Sequence, residues 1–265
     1  MTVPVNISVL VPVYNVEPYL VQCLESICSQ TLRELEVVCV DDASTDGSLS
    51  ILREFAERDP RVKVVQAPEN GGLSRSRNLA MNHAVGEYLF LVDSDDWLET
   101  DLLEEMYSRA KALDADKLVC GFRYYYEADP GREDRFMPED MAPPEKGWLP
   151  CTPETIGKIH HGAGGMMIRR SIVEKHGIRF PEGVACEDLY FHYAVFPWCR
   201  RVCVVSRAAY VYRKRAGSIT SDFASGSSLQ SLDYLTVAEL VLKEWKEAGI
   251  LEEYRTAFLK MLVMG

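Results

Sequence analysis

The chain has 265 residues with 40 acidic and 29 basic side chains, which gives a formal net charge of −11. This acidity excludes a general nucleic-acid-binding protein, which would carry a basic stripe and a high isoelectric point. The charge is unevenly divided: residues 1–150 hold 28 acidic and 14 basic side chains, residues 151–220 hold 5 and 11, and residues 221–265 hold 7 and 4. We expect either a cleft with oppositely charged walls or charges scattered over a solvated surface.

The composition is that of an ordinary globular protein, with 47% hydrophobic and 26% charged residues. No window approaches the roughly 18 apolar residues of a membrane span, and no signal peptide is recognisable at the N-terminus. Eight cysteines without a C-x-x-C pair predict buried free thiols in a reducing cytoplasm rather than disulfides or a zinc site. The apolar run 258–264 at the end of the chain predicts a helix that is cut short, as in a fragment.

Strands and helices alternate over the first 125 residues. Apolar runs that end at turns predict buried strands at residues 7–14, 36–40, 62–65, 88–92 and 117–120. Apolar residues at helical spacing predict helices at residues 19–27, 48–58, 74–84 and 101–113. This alternation is typical of a mostly parallel α/β sheet with helices on both faces, in which ligands bind beyond the carboxyl ends of the strands.

The second half of the chain is less regular. Residues 127–160 are rich in Pro, Gly and charged residues, which predicts an irregular segment without regular secondary structure. Beyond them the sequence predicts helices at residues 170–176, 187–196 and 227–248, and strands at residues 202–205 and 209–213.

Acidic residues follow the predicted strand at 88–92, in the sequence Asp93-Ser94-Asp95-Asp96. Three carboxylates so close together repel one another unless they are solvated or neutralised. Hard oxygen ligands suit Mg²⁺ or Mn²⁺, and Mg²⁺ takes one or two protein carboxylates together with substrate phosphates. The pattern therefore predicts a metal site, or alternatively a solvated cluster that caps the helix at 101–113.

A second polar cluster, residues 41–47, follows the predicted strand at 36–40. Asp42, Ser44 and Asp46 match the first ligand positions of an EF-hand. The calcium-loop hypothesis fails because Arg53 stands at the final position and a strand, not a helix, precedes the loop. A carboxylate facing a nucleobase or ribose is the functional interpretation, and capping of the next helix is the structural one.

A glycine turn followed by arginines lies at residues 70–78. A helix N-terminus with Arg75 or Arg77 nearby can hold a phosphate, although a turn before a solvated helix fits equally well. The chain lacks G-x-G-x-x-G and the P-loop pattern, which disfavours dinucleotide redox enzymes and P-loop kinases.

Two later motifs also have two interpretations each. Glu187-Asp188 opens a predicted helix, where a carboxylate could be a catalytic base or a cap. The run Tyr212-Arg213-Lys214-Arg215, with Ser218 and Thr220, could contact a diphosphate or be simply solvated.

The order of these motifs is more specific than any single one. The chain presents, from its N-terminus, Val11-Pro12-Val13-Tyr14-Asn15, residues 40–48, Asn70-Gly71-Gly72 with Arg77-Asn78, residues 92–96, Glu187-Asp188, and Tyr212-Arg213 with Gly217-Ser218-Ile219-Thr220. In this order, over about four fifths of the chain, the motifs closely resemble the family 2 glycosyltransferases of the GT-A fold, and the last of them resembles bacterial members.

The resemblance implies inverting transfer of a sugar from a nucleotide-diphosphate sugar, with a UDP-sugar as the first guess, to a hydroxyl of a glycan or lipid-linked acceptor. The implied cofactor is Mg²⁺ or Mn²⁺. By position, the implied donor-binding residues are Pro12, Val13, Tyr14, Asp42, Arg77, Asp93, Ser94, Arg213 and Arg215. The implied metal-binding residues are Asp95 and Asp93, with Asp96 as an added acid, and the implied base is Asp188 or else Glu187. Ala43 stands where the family commonly has Gly.

The resemblance also implies a Rossmann-like sheet with residues 1–125 as the nucleotide-sugar-binding half, residues 126–221 as the acceptor-side half and residues 222–265 as a helical extension. We expect a role in polysaccharide or cell-envelope synthesis in the cytoplasm, at the inner face of the membrane. Two alternatives stay open. One is a sugar-nucleotide-binding domain without activity. The other is a sugar-nucleotide pyrophosphorylase, which usually has a Gly-rich, Arg-containing loop where this chain has residues 12–15.

Overall fold

The computed structural model describes residues 4–136, 146–215 and 229–264. The strands are β1 (Ile7–Val13), β2 (Leu35–Asp41), β3 (Val62–Gln66), β4 (Tyr88–Leu91), β5 (Trp97–Leu98), β6 (Lys117–Tyr126), β7 (Glu133–Phe136), β8 (Leu149–Pro150), β9 (Met166–Arg169) and β10 (Arg201–Lys214). The α-helices are α1 (Glu17–Cys28), α2 (Ser48–Arg58), α3 (Leu73–His83), α4 (Leu102–Leu113), α5 (Arg170–His176), α6 (Glu187–Val195), α7 (Leu229–Glu247) and α8 (Leu251–Met264).

These strands form one mixed sheet in the order β3-β2-β1-β4-β9-β6-β10-β5, with β7 beside β6 and β8 beside β10. The first four are parallel neighbours, whereas β9 runs antiparallel between β4 and β6. Every residue of β1, β2 and β4 is buried, which explains why these strands are continuous apolar runs in the sequence. The predicted mostly parallel α/β sheet is confirmed.

Helices cover both faces of this sheet. Leu20 of α1 and Met106 of α4 lie in the core on one face, and Met81 of α3 and Phe191 of α6 lie in the core on the other. A third core surrounds the fully buried Trp245 and joins α6 to α7 and α8. The C-terminal helices therefore brace α6, the helix that begins with the acidic pair.

The strand order reverses at β1, because the chain runs outward from β1 to β3 and then returns to place β4 on the other side. Ligands of open α/β sheets bind at such a switch point. Pairing of β1 with β4 stops at Leu10, whereas its pairing with β2 continues to Val13. Pro12, which has no N–H to donate, lies beyond the last residue paired with β4, where a proline does not interrupt the ladder.

The structure differs from the sequence-based expectation mainly after residue 93. The predicted strands 202–205 and 209–213 are one strand, β10, whose register against β6 shifts near Ala208. Residues 127–160, for which an irregular segment was predicted, contain β7 and β8. No sequence pattern indicated β5 or β9. No helix within the described ranges is long and apolar enough to cross a membrane.

Candidate active site

The loop after β2 is held by its own carboxylates. Asp42, only 3% exposed, accepts the backbone N–H groups of Gly71 and Gly72 at 2.9 and 2.8 Å. Asp46 accepts the backbone N–H of Glu17 at 3.0 Å. These charge-assisted hydrogen bonds fix the loop against its two neighbours along the carboxyl edge of the sheet.

The end of β1 lies beside this loop. Pro12 and Val13 are buried, and Tyr14 is 46% exposed. Two residues here adopt the left-handed backbone region, Asn15 with φ +50° and Ala43 with φ +57°. Glycine adopts this region without steric cost, whereas a residue with a Cβ, such as Ala43, does not.

Arg77 of α3 joins the acidic motif after β4 to the start of α6. Its guanidinium is 3% exposed and contacts Asp93 at 2.7 Å and Glu187 at 2.5 Å, and it packs on the ring of Phe180 at 5.2 Å. Burial alone would lower the pKa of Arg77, but the two carboxylates outweigh it and raise the pKa above its usual value. Arg77 therefore stays charged and brings the predicted donor and base residues together.

Arg215, just beyond β10, pairs with Asp95. Its Nε lies 2.8 Å from the Asp95 carboxylate, and its guanidinium lies over the ring of Tyr19 at 4.9 Å. Burial and then the neighbouring charge of Asp93 raise the pKa of Asp95.

Arg213, two residues earlier, is held much more tightly. Its Nε donates to the backbone carbonyl of Asp95 at 2.8 Å and its Nη2 to Gln22 at 2.6 Å. Three aromatic rings lie 4.7–5.4 Å from its guanidinium, those of Trp97, Tyr19 and Tyr125. The side chain is 7% exposed, so Arg213 connects β10 to the motif after β4 from within the protein.

Asp96 is 1% exposed, and both of its oxygens accept hydrogen bonds from β10: one from the Tyr210 hydroxyl at 2.7 Å and one from the Arg213 N–H at 2.8 Å. The Tyr210 oxygen also accepts the backbone N–H of Asp93 at 3.1 Å. Burial, with smaller contributions from Asp93 and Asp95, raises the pKa of Asp96 well above its usual range. Tyr210 was not identified from the sequence, and nothing near it in the sequence signals the contact.

The two carboxylates at the start of α6, those of Glu187 and Asp188, have different partners. Glu187 is bound to Arg77, whereas Asp188 accepts the backbone N–H of Leu189 at 2.7 Å. Burial and then the charge of Asp188 raise the pKa of Glu187, although Arg77 opposes both. Asn78 holds the preceding segment by exchanging two hydrogen bonds with the backbone of Phe180, at 2.8 and 2.9 Å.

The predicted site residues of the described ranges thus gather at one edge of the sheet, at the ends of β1, β2, β4 and β10, in α3 and at the start of α6. Ser94 is buried and lies between Asp93 and Asp95 in the sequence. Ser218 and Thr220 lie outside the described residues. Within the described residues, no three His, Cys, Asp or Glu side chains group so as to hold a metal ion on their own.

Three comparisons with known proteins agree with this geometry. The family model described as glycosyl transferase family 2 matches residues 8–177. The protein EpsH of Bacillus subtilis strain 168 is 34% identical over an alignment of 271 positions, which covers 97% of this chain and 74% of EpsH. Glycosyltransferase GlyA of Streptococcus pneumoniae serotype 4 is 35% identical over 228 residues, 83% of this chain but only 32% of GlyA.

A solved structure shows the same fold. The crystal structure of S. aureus TarS 1–349 in complex with UDP-GlcNAc superposes with a TM-score of 0.75 and 26% identity, over 96% of this chain and 73% of that one. The predicted GT-A fold is confirmed. The family model covers well over half of the residues of this chain, so the chain belongs to glycosyltransferase family 2.

Proposed function

We propose that this chain is an inverting glycosyltransferase that moves a sugar from a UDP-sugar to a hydroxyl group of a glycan or lipid-linked acceptor. The observation that carries the proposal is the convergence of Asp93, Asp95 and Arg215 with the Glu187-Asp188 pair at the switch point of the sheet. The UDP-GlcNAc bound to TarS, which shares this fold, supports the choice of a UDP-sugar.

Asp188 is the better candidate for the base. Glu187 is tied to Arg77 at 2.5 Å, so its carboxylate serves to position the start of α6. Asp188 would take the proton of the acceptor hydroxyl while that oxygen attacks C1 of the sugar from the face opposite the diphosphate. The C1–oxygen bond to the diphosphate breaks, the diphosphate leaves with the electron pair, and the configuration at C1 inverts.

The residues present fit a divalent cation. Asp93 and Asp95 offer hard carboxylate oxygens, and Mg²⁺ or Mn²⁺ can take its remaining ligands from the donor diphosphate and water. When bound, the cation would neutralise the negative charge that builds up on the leaving diphosphate. Asp96 fits this role less well, because both of its oxygens are used by β10. We propose that Asp96 positions the motif instead.

The remaining donor contacts follow from position. Pro12, Val13 and Tyr14 line the end of β1, and Asp42 faces the Gly71-Gly72 turn, so these residues would border the base and ribose. Arg215 would meet the diphosphate.

We assign residues 1–125 to donor binding, residues 126–221 to the acceptor side and residues 222–265 to the helices that brace α6. We also propose that the protein acts in the cytoplasm, at the inner face of the membrane, in polysaccharide or cell-envelope synthesis.

The test is to incubate the protein with a panel of UDP-sugars and Mn²⁺ and to identify the products. We expect UDP release that a chelator abolishes. Formation of UTP and a sugar 1-phosphate from a UDP-sugar and added pyrophosphate would instead identify a pyrophosphorylase. Binding of UDP without turnover of any UDP-sugar, with and without glycan and lipid-linked acceptors, would identify a binding domain.

A further inference from the structure

The two arginines at the end of β10 are held in different ways. Arg213 is fixed by hydrogen bonds to Asp95 and Gln22 and by three aromatic rings. Within the described ranges, Arg215 has one acidic partner, the Asp95 carboxylate at 2.8 Å, and one ring, that of Tyr19. Of the two, Arg215 is therefore the side chain that can move without disrupting the core.

The position of Arg215 conflicts with cation binding. A guanidinium and a divalent cation both carry positive charge, and repulsion between charges a few ångströms apart is strong in a partly buried site. Asp95 is 19% exposed on its side chain, so water screens such a pair only in part. While Arg215 keeps its present geometry, its positive charge weakens the binding of a cation by the Asp95 carboxylate.

We propose that Arg215 is an internal counter-ion of Asp95, which a divalent cation displaces when the donor diphosphate arrives. The inference rests on the proposed function. Arg215 neutralises Asp95 while the site lacks donor, which reduces binding of the cation alone. The diphosphate then offers Arg215 a new anionic partner, and the released Asp95 carboxylate binds the cation. The arrangement makes cation binding and nucleotide binding mutually reinforcing.

The test measures Mn²⁺ affinity by electron paramagnetic resonance of the unbound ion, first with Mn²⁺ alone and then with UDP. For Arg215→Met we expect Mn²⁺ alone to bind about tenfold more tightly than to the wild type, because the competing charge is gone. We also expect UDP to strengthen Mn²⁺ binding less than it does in the wild type. Arg132→Met, which removes an exposed arginine paired with Asp134, is the matched control and should leave both affinities unchanged.

Arg215→Gln serves as a second variant, and thermal unfolding of both variants verifies that they fold. Unchanged or weaker binding of Mn²⁺ alone in the folded variants would overturn the inference, even where the wild type binds Mn²⁺ and UDP together. A wild type that binds no Mn²⁺ even with UDP would overturn both this inference and the metal-assisted function.

Discussion

The two polar loops at the carboxyl edge of the sheet, residues 42–47 after β2 and residues 93–96 after β4, hold their carboxylates differently. In the first loop, Asp42 and Asp46 accept backbone N–H groups. In the second loop, Asp93 and Asp95 pair with arginine side chains. A backbone N–H cannot leave without moving the chain, and Arg77 is buried, whereas the more exposed Arg215 can rotate away from Asp95. The first loop is therefore built to hold shape, and the second to receive a ligand.

The largest effect is expected at Asp188, the proposed base. Asp188→Asn should lower the rate of transfer by about 10²–10⁴-fold, because an amide cannot take the acceptor proton. UDP binding should survive the change. The measurement is steady-state turnover together with a UDP titration. Glu187→Gln, which removes the charge paired with Arg77, should cost less, and near-normal turnover by Asp188→Asn would remove Asp188 from its role.

The next effect tests whether the second loop binds a cation. Asp95→Asn should raise the Mn²⁺ concentration needed for half-maximal turnover by about tenfold or more, because a neutral amide is a poorer ligand than a carboxylate. A titration of turnover against Mn²⁺ measures this. Asp134→Asn, an acidic residue of β7, is the control. An identical Mn²⁺ dependence in the wild type and Asp95→Asn would show that the second loop does not bind the cation.

The first loop should instead affect stability. Asp42→Ala removes the acceptor of two backbone hydrogen bonds and should lower the free energy of unfolding by about 2 kcal/mol. Urea unfolding measures the loss. Asp101→Ala, which breaks an exposed pair with Arg207, should cost below about 1 kcal/mol. Equal losses in the two variants would contradict a shape-holding role for the first loop.

The smallest effect concerns the backbone of the same loop. Ala43→Gly should raise the free energy of unfolding by about 0.5–1 kcal/mol, because it relieves a side chain held at φ +57°. Ala56→Gly, in the interior of α2, should lower it by about 1 kcal/mol. The opposite signs are measurable by the same urea titrations, and a loss in both variants would show that Ala43 carries no backbone strain.

The first half of the fold was predictable from the sequence because three of its strands, β1, β2 and β4, are buried on both faces. β1, β2 and β4 are continuous apolar runs, and polar residues mark the ends where they meet the site. β5 has only two residues, and β9 runs directly into α5 without a turn, so neither forms a separate apolar run that ends at a turn. Their place in the sheet depends on pairing with distant strands.

The position of the candidate site was predictable, but its internal contacts were not. The strand pattern brought Asp42 and Asp93 to one edge, since the carboxyl ends of parallel strands share an edge. Asp188 was assigned to the site only through the family resemblance. Two ion pairs of the site join residues that lie far apart in the chain: Arg77 meets Glu187 across 110 positions, and Arg215 meets Asp95 across 120. Long-range pairs of this kind have no local signal, so the contact of Tyr210 with Asp96 was not anticipated.

The most direct test of the account is a calorimetric titration of UDP into the wild-type protein, once with Mn²⁺ and once with a chelator. If Asp93 and Asp95 receive a cation together with the diphosphate, Mn²⁺ should tighten the UDP dissociation constant by about tenfold or more. The same UDP affinity with Mn²⁺ and with the chelator would contradict the account.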